Sequence, residues 1–255
     1  MTEPVTTAPD DGAPLPAARR REVVRQSLSV GAATGAYGIS FGALSVASGL
    51  DIWQTQVLSL LLFTGGSQLA LVGVLGAGGG AAAAVATSTL LGVRNGLYAL
   101  QTSQFLGVRG IRRLAAAHLT LDESTAVAVA QPERPAQRLG FWLTGLAVFA
   151  GWNLMTLVGA LVGNALGDPR QWGLDAAAAA AFAALLWPRL RSRDAAATAV
   201  LAVLVAVATG PYLPTGVPVI LAALAAVVVG MRHPGRHEGP LEGGDGTLPG
   251  ADPLP

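Results

Sequence analysis

Residues 52–93 read IWQTQVLSLLLFTGGSQLALVGVLGAGGGAAAAVATSTLLGV, a run without a single Asp, Glu, Lys or Arg. A membrane-spanning helix needs about 20 apolar residues, because each adds about 1.5 Å along the axis. This run is therefore long enough to pass through a bilayer twice. Residues 26–50, 139–167 and 195–231 also lack all four charged residue types. The first two suit one crossing each, and the third suits a pair. A soluble fold of 255 residues has no core large enough to bury all four runs. Only 12% of the chain is charged, against about a quarter in a typical soluble domain. The expected fold is all-α: a polytopic membrane helix bundle of about seven transmembrane segments.

Composition excludes several chemistries. There is no cysteine, so disulfides, thiolate catalysis and Cys-based metal sites are ruled out. His118, His233 and His237 lack any clustered ligand spacing, so no metal site is expected. No motif calls for a cofactor and HExxH does not occur, so the chain does not read as an enzyme. All 16 basic residues are arginine, which rules out a phosphate-cradling Gly-x4-Gly-Lys loop. The net charge is +1 and the arginines lie between apolar segments, so nucleic acid is not an expected partner. The bilayer is. Residues 1–22 and 233–255 are rich in Pro, Gly and acid and read as disordered tails flanking a transmembrane domain at 23–232. No strong tandem repeat is visible.

Helices are expected at about 27–49, 53–75, 81–104, 139–166, 174–190, 195–210 and 216–231, with a more polar region at 105–138. Gly31, Gly35, Gly38 and Gly42 mark a face on which a neighbouring helix can approach closely. Trp53, Trp172 and Trp187 fall near helix ends, where an indole straddles apolar and wet layers. Arginines in short loops set orientation. Arg19, Arg20, Arg21 and Arg25 put the N-terminus inside; Arg189, Arg191 and Arg193 put their loop inside and Arg232 and Arg236 the C-terminus, so the loop at 167–173 is outside and the 105–138 region, with Arg109, Arg112, Arg113, Arg134 and Arg138, is inside. Two inside ends require an even number of crossings between them, yet three apolar segments lie there. One of the three must be re-entrant, broken or wrongly read. Thr64-Gly65-Gly66-Ser67-Gln68 is the expected break, because Gly-Gly weakens a helix and frees backbone groups, which membranes tolerate only inside protein or beside a cavity.

That break is also the first candidate site. Discontinuous helices bring free N–H and C=O groups to a solute's charged ends, and here Gly65, Gly66, Ser67 and Gln68 would supply backbone, hydroxyl and amide groups. Arg94 is the second candidate. An arginine amid apolar sequence costs about 2.5–3.5 kcal/mol at the bilayer centre, so it should face a polar interior, where its fork suits a carboxylate. Asn95 and Tyr98 would add uncharged hydrogen-bonding groups, and structural pairing of Arg94 with Asp122 or Glu123 is the competing role. Asp122 and Glu123 form the third candidate: one for proton coupling or for pairing with Arg94, the other for a capping box with Thr120. Asn153 is read as an interhelical hydrogen-bonding residue and His118 as a loop residue.

In their order, GISFGAL (38–44) followed by Gly49-Leu50 and Trp53, TGGSQ (64–68), R-N-x-L-Y (94–98), LTLDES (119–124) and PxxPxGxxxxxAAL (211–224) resemble the azaleucine-resistance (AzlC-like) branched-chain amino acid permease family. The resemblance covers about 23–231. Family members often carry Arg-His where this chain has Arg94-Asn95. The resemblance implies a permease of the bacterial cytoplasmic membrane, multi-pass and with a cytoplasmic N-terminus, that exports branched-chain or similar apolar amino acids. It also implies a small AzlD-like membrane subunit as partner and an amino acid as substrate; with no ATP-binding loop, energy is expected from an ion gradient, of protons, or from a partner. A channel for a small neutral solute and a structural subunit of a transport complex are the alternatives.

Overall fold

The computed structural model describes residues 14–166, 183, 187, 190, 193–213 and 217–232. The expected tails beyond these limits, Trp172 and nearly all of the expected helix 174–190 lie outside the described residues. Among those described there is no strand. The helices are α1 (Ala17–Ala36), α2 (Gly38–Ala47), α3 (Ile52–Leu61), α4 (Gly65–Gly76), α5 (Ala81–Leu106), α6 (Ile111–His118), α7 (Asp122–Val129), α8 (Arg134–Ala165), α9 (Arg193–Thr209) and α10 (Val217–Arg232). The first helix begins ten residues before the expected 27, so Arg19 to Arg25 ride on helix rather than on a tail.

Two helical stretches combine the length and apolarity of a crossing: Ala17–Ala47, in which α1 and α2 are joined through Tyr37, and Arg134–Ala165. They pack side by side and parallel. Gly31 lies on Ala147, Gly35 on Gly151, Gly38 on Trp152 and Thr156, and Gly163 on Ala43, with numbers rising together along both helices. The expected small-residue face is therefore a backbone-to-backbone contact. A bilayer gives no hydrophobic drive between helices, so close van der Waals packing of this kind is what holds them.

Hydrogen bonds locate the ends of the bundle. Arg19 Nη2 donates to Gln131 Oε1 at 2.7 Å, joining the start of α1 to the start of α8. Arg138 Nε donates to the Phe105 carbonyl at 2.6 Å, bringing the end of α5 to the same place. This arginine-rich end carries Arg19, Arg20, Arg21, Arg25, Arg109, Arg112, Arg113, Arg134 and Arg138. At the opposite end, the turns at 48–51 and 77–80 hold one charged residue, Asp51. Asp51 caps α3, its Oδ1 accepting from the Gln54 N–H at 2.7 Å while Gln54 Oε1 accepts from the Asp51 N–H at 2.9 Å.

The expected helix 53–75 is not one element. It is two short ones, of 10 and 12 residues, or about 15 and 18 Å long, half of a hydrocarbon core about 30 Å thick. α3 packs on α8, with Ser59 Oγ 3.4 Å from Thr156 Oγ1. Just beyond its end lies Phe63, whose ring centroid is 5.0 Å from that of Phe149, near the centre of the 32-residue α8. α4 then returns to its starting end, where Gly76 is packed so closely on Ser48 that an added Cβ would stand 2.6 Å from Ser48 Oγ. α3 and α4 thus form a helical hairpin.

A second hairpin, which the sequence did not reveal, enters from the arginine-rich end. α6 leads to His118, whose ring lies 5.6 Å from Phe149 and 5.7 Å from Phe63. Leu119 packs under Gly145 at the tip. α7 then runs back past Gly140 towards Gln131, whose Nε2 donates to Gln26 Oε1 at 3.0 Å. The two tips meet at Phe63, His118 and Phe149. His118 is therefore a helix-terminal member of an aromatic cluster, not a loop residue.

The path is long helix, hairpin, long helix, hairpin, long helix. Residues 17–76 and 81–129 follow one plan in opposite orientations, the arrangement of inverted repeats. Between the two arginine-bearing segments, α1–α2 and α5 run from one end of the bundle to the other, and the α3–α4 hairpin does not. The absence of cysteine gives a direct check. Single cysteines replacing Trp53 and Ala77 should label with an impermeant maleimide from one side of the membrane, and one replacing Arg109 from the other. Labelling of positions 53 and 77 from opposite sides would turn the first hairpin into a crossing. α9 and α10 match the expected 195–210 and 216–231; they pack on each other, and α10 touches α5.

Candidate functional site

The TGGSQ segment begins a helix rather than breaking one. The interruption is Leu62 to Thr64, and Thr64, in extended conformation (φ −159°, ψ 99°), is the N-cap of α4. Gly65, Gly66 and Ser67 form the first turn, whose backbone N–H groups have no partner within the helix and form its positive end. The two glycines are there because neighbours leave no room. A Cβ on Gly65 would stand 3.3 Å from Trp152 Cη2, and one on Gly66 would stand 2.9 Å from Arg94 Nη2. Gln68 is fully buried, and its Nε2 reaches the Leu58 and Ser59 carbonyls at 3.4 and 3.3 Å, tying α4 to the end of α3. The Ser67 Oγ is buried with no hydrogen-bond partner among the described residues, and it faces α5 at Gly92.

Arg94 stands at the centre of the 26-residue α5. Its Nη1 lies 3.1 Å from Asp122 Oδ2, with the side chains 30% and 26% exposed. The competing structural pairing is thus present, and it joins two of the three candidate groups. The Arg94 Nε and the Asn95 Oδ1 are buried with no hydrogen-bond partner among the described residues. Tyr98 lies one turn further along α5 and is half-buried. Asp122 and Glu123 occupy the first turn of α7, where a helix N-terminus favours carboxylates. The expected Thr120–Glu123 capping box is not formed. Leu121 is the N-cap, its N–H donates to Ser124 Oγ at 3.0 Å, and Thr120 Oγ1 donates to the Ala116 carbonyl at 2.8 Å. Residue 121 takes the cap because its extended backbone (φ −126°, ψ 170°) is where the chain turns at the tip.

Asn153 also departs from expectation. Its Nδ2 donates to Phe149 of its own helix at 2.8 Å, and the interhelical contact is made by its backbone carbonyl, which accepts from Gln56 Nε2 at 3.4 Å. Trp152 went unmarked in the sequence, yet it stacks on Phe41 (5.8 Å) and covers Gly65. One tryptophan within an apolar helix carries no signal of such a role. What the tertiary structure assembles is an arginine fork, the N-terminal turn of α4 with an unpartnered hydroxyl, and a carboxylate on the tip of the opposing hairpin. That set suits a small solute carrying a carboxylate. Among the described residues no cluster of potential metal ligands occurs.

A family model described as AzlC protein matches residues 29–166, more than half of the 255-residue chain. The chain belongs to the AzlC family. No curated protein and no solved structure matches it. The AzlC match runs from within α1 to the end of α8. It therefore takes in both hairpins, Arg94 and the Asp122 tip, and leaves out α9 and α10. AzlC is a transporter family, so this is a membrane protein with a transport-related function. Three of the motifs that carried the resemblance, TGGSQ, R-N-x-L-Y and LTLDES, converge where the tips meet.

Proposed function

We propose that this AzlC-family chain exports branched-chain or similar apolar amino acids across the bacterial cytoplasmic membrane. The observation that carries the reading is the Arg94–Asp122 pair held at the centre of α5 beside the first turn of α4. An ion pair at that depth is costly, and function is the usual reason to keep one. The substrate carboxylate docks on Arg94 and the N-terminal turn of α4, while apolar helix faces receive the aliphatic side chain. The arginine-rich end is cytoplasmic by the positive-inside rule. The hairpins act as opposed gates, each tip closing the site from its own side, as in transporters built from inverted repeats.

Without a lysine there is no ATP-binding loop, so energy comes from an ion gradient. Protons are the ion, with Asp122 or Glu123 as carrier. A small AzlD-like membrane subunit is the partner. Counterflow of labelled valine, leucine, isoleucine and methionine in vesicles tests the reading, with the chain alone and with that subunit. Saturable exchange of the branched solutes is the expected result. Flux that never saturates would make the chain a channel, and no flux with either preparation would make it a structural subunit.

A further inference from the structure

We propose that Arg94 and Asp122 read both ends of the substrate at once: the guanidinium takes the carboxylate and the Asp122 carboxylate takes the ammonium group. This rests on the export reading above and goes beyond it by assigning the amino end of the solute and the way a proton is exchanged for it. Asp122 holds the Nη1 corner of Arg94, at 3.1 Å. The other edge of the fork, Nε with Nη2, is the one that grips a carboxylate through two parallel hydrogen bonds. Its Nη2 lies against the first turn of α4 at Gly66. Its Nε has no hydrogen-bond partner among the described residues, and neither does the Ser67 Oγ, which is fully buried one residue further on. A carboxylate seated on that edge meets the guanidinium and the positive end of α4 together. The adjoining α-ammonium then falls beside the one acid already held against this guanidinium. The ion pair stands ready for the two opposite charges that every free α-amino acid carries.

The assignment fixes the sign of proton coupling. An ammonium group and a proton compete for the same carboxylate, so a protonated Asp122 binds the solute poorly. Mutual exclusion of solute and proton is what an antiporter requires. The charged and titratable groups on the neighbouring elements are Arg94 and Tyr98 on α5, Glu123 beside Asp122 on α7, and Arg112, Arg113 and His118 on α6. α4 has none, α8 has Arg134 and Arg138 on its first turns, and α1 has Arg19, Arg20, Arg21, Glu22 and Arg25 at the arginine-rich end.

The test is competition against labelled leucine counterflow by the full chain in proteoliposomes. The competitors are leucine, 4-methylpentanoate (leucine without its amine) and 3-methylbutylamine (leucine without its carboxylate). In the unmodified protein both analogues should compete roughly 10- to 100-fold more weakly than leucine, the loss of one charged hydrogen-bonded contact. In Asp122→Asn, leucine and 4-methylpentanoate should become equivalent. The half-saturating leucine concentration should rise as pH falls in the unmodified protein and stay level in Asp122→Asn. Equal competition by leucine and 4-methylpentanoate in the unmodified protein overturns the proposal, and needs no variant that must fold. Tighter leucine binding at low pH overturns it too. In both cases leucine counterflow itself continues and the export reading stands, whereas absence of counterflow removes both.

Discussion

Replacing Arg94 by alanine is expected to lower leucine counterflow by roughly 30- to 4,000-fold while the protein still inserts and purifies. The range follows from truncating one member of a largely buried, hydrogen-bonded charge pair, about 2–5 kcal/mol. The side chain is 70% shielded and its partner Asp122 is 74% shielded, from exposures of 30% and 26%, so solvent screens the pair only in part. Alanine removes the carboxylate seat and leaves Asp122 at the tip of α7 without its cation. Gly66→Val makes a gentler companion. Its side chain enters the space of Arg94 Nη2, which an added Cβ would approach to 2.9 Å. The guanidinium can swing aside, so transport should fall while the fold persists. An Arg94→Ala protein that exports leucine at the normal rate would remove the centrepiece of the proposed function.

The second large effect concerns the fold. Gly159→Val should prevent stable assembly, read as loss of the monodisperse peak and a collapse of the apparent Tm in detergent. A Cβ at Gly159 would overlap the Ile39 carbonyl oxygen, and one at Gly42 would overlap that of Thr156. Both obstacles are backbone, so the neighbour cannot turn away and α2 must lift off α8. Overpacking of a tight core costs about 1–3 kcal/mol and occasionally more. The cost here lies at the upper end, because the whole contact opens. Gly96→Ala is the control: nothing lies within 4 Å of a Cβ there, and alanine suits a helix better than glycine. Gly42→Val combined with Gly159→Val should be little worse than either alone, since each opens the same crossing.

The parity argument shows how far local sequence reaches. Arginines at the N-terminus and between 105 and 138 cannot share a side if three segments between them all cross. That arithmetic needed no coordinates, and it pointed at the 53–75 segment. It went wrong in detail by taking Gly65-Gly66 as the break. In isolation two glycines read as helix-weakening; in the protein they open a helix, with Trp152 close on one side and Arg94 close on the other. Of the residues that do interrupt the chain, Thr64 opens the expected segment, while Leu62 and Phe63 look like ordinary apolar sequence.

Hydropathy and charge by themselves determined that the chain is an all-helical membrane protein and that its first long helix presents a small-residue face. They also singled out Arg94 and Asp122, because a charge in apolar surroundings is conspicuous wherever its partner lies. Only the tertiary structure decided that residues 111–129 form a second, opposed hairpin. Two helices of 8 residues with a polar first half carry no membrane signal of their own. Their depth comes from packing of His118, Leu119 and Val127 on α8 and Phe63. Hydropathy reports how much surface a segment can leave in lipid. How deep a short segment sits is set by the neighbours that cover it, and those neighbours are distant in the chain.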